Sequence, residues 1–179
     1  MKLMQVRRLI SILMITTGLL VLGWSGRTYV VRNWRQPELP PSIVAYATTD
    51  QFPVHLQIDG FVDTAIKPTV IDQNGIPQLT NDATSYLVNS SLPKNSGNII
   101  MYGHNQPHIL GNLPKLTGSE VITLTLQNGD QRWYKINQMI QVATDQTELL
   151  LPTDREVLTL YTCDGWADQK RFVVQAIPI

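Results

Sequence analysis

From Val54 to the C-terminus, apolar residues recur in short runs, several alternating with polar ones, and each run is bounded by Gly, Asn, Asp or Ser. Residues 54–58, 61–66, 69–71, 98–102, 121–126, 132–142, 157–163 and 171–177 follow this pattern and read as β-strands. Turn signals lie between them at Asp59-Gly60, Gln73-Asn74-Gly75, Asn95-Ser96-Gly97 and Asn128-Gly129-Asp130, the last predicting a hairpin. About eight strands make a mainly β domain, a sandwich or a closed barrel. Helical signals are few. Residues 80–88 open with the capping types Thr80, Asn81 and Asp82, and 109–116 have room for a turn or two.

The N-terminal third has a different pattern. Lys2, Arg7 and Arg8 precede an uncharged run from Leu9 to Gly26, and Arg27 follows it. At about 1.5 Å per residue this run reaches roughly 27 Å, close to the hydrocarbon thickness of a bilayer. The positive residues before it favour an N-terminus inside and the remainder outside. The expected organisation is a cytoplasmic basic segment 1–8, a transmembrane signal anchor 9–26, an extracellular spacer 27–53 and a folded β domain 54–179. The spacer reading rests on Pro37, Pro40 and Pro41 among Arg, Asn and Gln. A cleaved signal peptide is the alternative, with Val21 and Gly23 as small residues before a cut. Both readings export the domain.

Composition narrows the chemistry. The chain of 179 residues holds one ordinary domain plus an appendage, and its 14 Lys and Arg balance its 14 Asp and Glu. Balanced charge makes no case for nucleic acid, which demands a basic patch. The single cysteine, Cys163, excludes an internal disulfide and a cysteine-rich metal cluster. It is either a buried filler or a reactive thiol.

The run Glu156-Val157-Leu158-Thr159-Leu160-Tyr161-Thr162-Cys163 reads as a strand ending at the thiol, with Asp164-Gly165 as the turn. Alternation puts Leu158, Leu160 and Thr162 on one face and Tyr161 and Cys163 on the other. If the leucines point inward, the thiol points outward. In 171–176 the same parity buries Phe172, Val174 and Ala176 and turns Arg171 outward, so neighbouring antiparallel strands would present Cys163 and Arg171 together. His104 follows the apolar run Ile99-Ile100-Met101-Tyr102-Gly103, where Gly103 allows a sharp backbone change. A thiol nucleophile needs a base or a positive neighbour, and histidine can return a proton to a leaving amine. Independent thiol and imidazole groups at reference values would both be ionised in only about 1% of molecules at pH 7. His108 does not form a zinc pair with His104, because Pro107 interrupts any helix through both and no HExxH glutamate is present.

Thr159-Leu160-Tyr161-Thr162-Cys163 resembles the TLxTC signature of the sortase family, and His104 and Arg171 fall where that family places its other catalytic residues. The resemblance covers about 54–179. It implies an eight-stranded closed barrel with one or two short helices, and a cysteine transpeptidase with Cys163, His104 and Arg171 as catalytic residues. The implied substrate is an LPxTG-like sorting signal on exported proteins, cleaved through a thioester on Cys163. The acyl group then passes to an amine, on a peptidoglycan cross-bridge or a pilin lysine. Tyr161, Thr162 and Trp166 are the candidate substrate contacts. No cofactor and no metal are expected, since the acidic residues are too scattered for the calcium arrangement of some relatives. The short Cys-to-Arg loop, with Trp166 in it, departs from the common pattern. A non-catalytic peptide-binding barrel and a peptidase using water as acceptor are the alternatives.

Overall fold

The structure, a computed structural model, describes residues 13–23, 49–71 and 78–179. The chain divides into two compact units, Met1–Pro37 and Glu38–Ile179. In the first, residues 13–23 form an α-helix with exposed apolar side chains such as Leu13, Leu20 and Leu22. No helix among the described residues is long and apolar enough to cross a membrane. The basic segment 1–8, both ends of the expected 9–26 span, the spacer up to residue 48 and the Gln73-Asn74-Gly75 turn lie outside the described residues.

The second unit carries eight strands: β1 (Pro53–Ile58), β2 (Val62–Thr69), β3 (Thr84–Leu87), β4 (Asn98–Gly103), β5 (Val121–Leu126), β6 (Gln131–Ala143), β7 (Val157–Asp164) and β8 (Lys170–Pro178). They close into a barrel in the order β1-β2-β3-β4-β7-β8-β6-β5. Closure leaves no unpaired strand edge. The inner face is a continuous core in which Leu56, Ile58, Ile99, Met101, Ile122, Leu124, Tyr134, Leu158, Leu160 and Val174 are all fully buried. The Asn128-Gly129 turn joins β5 and β6 as the expected antiparallel hairpin.

Two expectations about local structure are corrected. Residues 80–88, read as a helix start, instead contain β3, which runs parallel to β2 and antiparallel to β4. A parallel pair needs a long crossover, and residues 70–83 supply it. The polar residues that resembled a helix cap close the turn before β3: Thr80 donates to the Ala83 carbonyl, and Asp82 accepts from Lys67 at 2.7 Å. The runs 61–66 and 69–71 were expected as separate strands, yet β2 continues from Val62 through Pro68 to Thr69. Pro68 has no N–H to offer a ladder. It is tolerated because the registered pairs with β1 end at Ala65, leaving β3 as its neighbour.

A half-buried carboxylate immediately precedes β7. Glu156 accepts from Arg132 (2.6 Å and 3.2 Å), from the Tyr134 hydroxyl (2.7 Å) and from the Lys94 backbone N–H (3.1 Å). Burial by itself would raise its pKa, but these donors hold it below the ordinary carboxylate value. A register shift in β6 between Ile136 and Gln138 reverses the inward and outward parity of the rest of that strand. Past the shift, Ile140 pairs with Val173 and Val142 with Arg171, so both face outward.

Candidate active site

β4 and β7 lie side by side and parallel, registered from Asn98↔Val157 to Gly103↔Thr162. The next residue on each chain is His104 on one and Cys163 on the other. On the far side of β7, Cys163 pairs with Arg171 of β8. Three adjacent strand ends therefore bring His104, Cys163 and Arg171 to the same end of the barrel. Leu158 and Leu160 are fully buried while Tyr161 and Cys163 are half-buried, so strand parity assigns the faces as the sequence predicted.

The first threonine of the TLYTC run, Thr159, lies buried on the outer face of β7 and donates to the Asn98 side-chain oxygen at 2.7 Å. That bond orients the Asn98 amide, which donates to the carbonyls of Leu149 (2.9 Å) and Leu151 (3.1 Å) in the β6–β7 connection. Thr162, expected to touch substrate, has a side chain directed into the barrel and is fully buried. Its hydroxyl donates to the Gly103 carbonyl at 2.8 Å. One threonine thus holds a loop, and the other ties the strand of the thiol to the residue before His104.

Gly103 is required for space, not for the bend read from the sequence. A Cβ there would lie 2.6 Å from Ile109 Cγ2 and 3.0 Å from Leu110 Cγ. Both side chains are fully buried, as is Leu113 in the short 3₁₀ turn Leu113–Lys115, so the segment after His104 is pinned to the end of the core. The His104 carbonyl accepts from the Gln106 N–H at 2.8 Å, which turns the chain immediately after the imidazole. Arg171 Nη1 donates to the carbonyls of Asp168 and Lys170, both at 2.9 Å. Those bonds fold the guanidinium against the short loop between β7 and β8. Gly165 opens that loop at φ 76°, a left-handed conformation suited to glycine. Trp166 in the loop is 87% exposed, so a wall made by this ring stands out into solvent.

Tyr102 was not foreseen from the sequence. Its hydroxyl lies 2.9 Å from the Cys163 sulfur. Its ring stacks on Tyr161 at 4.2 Å and 12°. The available signal was a polar-tipped residue in an otherwise apolar strand, two positions before His104. Burial raises the Tyr102 pKa, the bond to Cys163 adds to this, and Arg171 opposes it in part. The Tyr161 phenol is pushed up to about 12, chiefly by burial, with Arg171 again opposing.

A cleft of about 310 Å³ opens beside these residues. Its floor is Tyr102, Tyr161, Val173 and Arg171, and its walls are Leu79, Val142 and Thr144, Gln146, Thr147, Leu149 and Leu150 of the β6–β7 connection. The floor residues are cross-strand neighbours: Tyr102 pairs with Tyr161, and Tyr161 with Val173. The wall is the same loop that Asn98 tethers. Among the described residues, no group of three or more His, Cys, Asp or Glu stands together to hold a metal ion.

The Sortase domain family model matches residues 56–179. Among solved structures, a lid mutant of sortase A from Corynebacterium diphtheriae is similar at 23% identity. That match covers 71% of this chain and 70% of that one, with a TM-score of 0.60. Sortase C-1 from Actinomyces oris is similar at 20% identity over 80% of this chain and 82% of that one, with a TM-score of 0.63. Sortase C1 of GBS pilus island 1 is similar at 22% identity, covering 73% and 66% of the two chains, with a TM-score of 0.60. No curated protein matches the chain. With the family match spanning the barrel from β1 to β8, the chain belongs to the sortase family.

Proposed function

We propose that this sortase is a cysteine transpeptidase acting on an LPxTG-like sorting signal, with Cys163 as nucleophile, His104 as acid and base, and Arg171 as the cationic donor at the developing oxyanion. The observation that carries the reading is the registered row of strand ends, Cys163↔Arg171 beside Gly103↔Thr162, at the edge of the cleft. The thiolate attacks the scissile Thr-Gly carbonyl carbon, and the carbonyl electrons move to oxygen, where a guanidinium and oriented N–H groups stabilise charge. As the oxygen electrons return, the C–N bond breaks and His104 gives its proton to the departing amine. The acyl group then remains on sulfur as a thioester. An incoming amine surrenders its proton to His104, attacks the thioester and releases the thiolate.

A cleft whose floor combines Tyr102, Tyr161 and Val173 with the cationic Arg171, and whose wall carries Thr144, Gln146 and Thr147, suits an extended peptide of mixed character. The similar sortase of a pilus island supports covalent assembly of surface proteins as the setting, with a cross-bridge amine or a pilin lysine as acceptor. The uncharged 9–26 run, flanked by Arg8 and Arg27, supports a single-pass anchor with the barrel outside the cell.

The test is mass spectrometry of the full-length chain incubated with an LPxTG-type peptide library. An acyl adduct on Cys163 that vanishes in Cys163→Ala, and that added amine converts to product, is expected. A folded chain that forms no adduct with any peptide overturns the transpeptidase reading. Adducts resolved only by water, whatever amine is added, select a peptidase instead.

A further inference from the structure

We infer that Tyr102 is a further catalytic residue, whose phenol O–H donates a hydrogen bond to the Cys163 sulfur and so favours its nucleophilic thiolate form. The inference rests on the reading of Cys163 as the nucleophile and adds the group that prepares it.

The geometry is specific. The Tyr102 oxygen is 2.9 Å from Sγ, within the range of a bond to sulfur. The ring is held from both sides, by registered pairing with Ser85 of β3 and with Tyr161 of β7, and by the stack on Tyr161. It is 8% exposed, so water competes little for the phenol.

The chemistry gives that contact a direction. A thiol and a phenol can each donate to the other, but a thiolate can only accept. The bond is therefore stronger to the charged sulfur, and a hydrogen bond to the charged form favours that form. The phenol also keeps its proton, since burial and the sulfur itself push its ionisation well above the ordinary value. Other groups face the sulfur as well. Arg171 is its cross-strand partner, Tyr161 lies on its own strand, and His104 follows β4. Asp164 and Lys170 form the next pair along, and Gln141 bridges them, donating to Asp164 and accepting from Lys170. The bonds from Arg171 run to loop carbonyls. The phenol is placed to hydrogen-bond the sulfur in the free protein.

A buried tyrosine satisfied by the nearest acceptor would show the same distance, so the test reads ionisation directly. Cys163 is the single cysteine, and its alkylation by iodoacetamide across pH reports the thiolate in the full-length chain without any peptide. Tyr102→Phe keeps the ring stack and removes the donor. The pH of half-maximal alkylation should rise by about one unit, which slows alkylation about tenfold on the low-pH side. Replacing Tyr102 with 3,5-difluorotyrosine, a more acidic phenol of nearly the same shape, should move that pH down.

A folded Tyr102→Phe chain whose midpoint moves by less than about 0.3 unit overturns the inference. If Tyr102→Phe does not fold, the fluorinated chain decides, and an unmoved midpoint there overturns it too. Thioester yield with the peptide library is measured in parallel. A Tyr102-dependent midpoint without any thioester keeps this assignment and sinks the transfer reaction instead.

Discussion

Replacing Thr162 by Val separates the architecture of the motif from its chemistry. The substitution exchanges a hydroxyl for a methyl of similar size at a fully buried position, and removes the 2.8 Å bond to the Gly103 carbonyl. A buried hydrogen bond contributes about 1 kcal/mol net, and leaving its acceptor unpaired raises the cost, so the expected loss is about 1–2 kcal/mol. The functional effect should be larger than the stability effect. Gly103 immediately precedes His104, and Thr162 immediately precedes Cys163, so the bond sets how two reacting groups stand relative to each other. Misplacement by about 1 Å can cost on the order of a hundredfold in rate. Urea unfolding followed by tryptophan fluorescence reads the first quantity, and the rate of thioester formation with a sorting-signal peptide reads the second. Thr162→Ser is the necessary companion, because it keeps the donor and loses only a buried methyl, about 1 kcal/mol. The Ser chain should cleave well above the Val chain at comparable stability. Equal rates in the two variants would refute the coupling of this bond to the catalytic geometry.

Glu156→Ala removes the acceptor of Arg132, Tyr134 and the Lys94 N–H, and should destabilise the barrel by about 1–3 kcal/mol in urea, mainly because the buried Tyr134 hydroxyl loses its partner while Arg132 can reach solvent. The same carboxylate gives an acid signature. Its folded pKa is depressed, so its contribution is present above the ordinary value of 4.5 and is lost as pH falls through the lower folded value. The stability difference between wild type and Glu156→Gln should therefore shrink as pH falls from 4.5 through the folded value, as read by urea midpoints at a series of pH values. Gly103→Ala places a methyl against Ile109 and Leu110, which have no exposed side to move into; overpacking of about 1–3 kcal/mol is expected, with slower thioester formation as the His104 segment is pushed outward. Asn98→Ala frees the Leu151 carbonyl, leaves the Leu149 carbonyl with only the longer bond from Gln175 at 3.3 Å and so loosens the cleft wall, and steady-state kinetics should show KM rising more than kcat falls.

Sequence alone determined what depends on local pattern. Period-two alternation located the strands that carry Cys163, Arg171 and the approach to His104, and parity assigned Cys163 and Arg171 to the outer face. The TLYTC run supplied the family, which alternation cannot. Tertiary structure decided whatever depends on pairing between distant segments. Residues 84–87 carry the same residue types whether or not β2 and β4 flank them, so their strand character appeared only with those partners. The register shift in β6 turned Val142 toward the cleft, and the β6–β7 connection became a wall because Asn98, far away in sequence, holds its carbonyls. Thr162 was expected at the substrate and lies in the core, since the hydroxyl that the motif demands is used to join two strands. Tyr102 met the sulfur for a related reason. Parallel pairing of β4 with β7 sets which residues stand abreast, and that register is a property of the closed barrel, invisible in either strand alone.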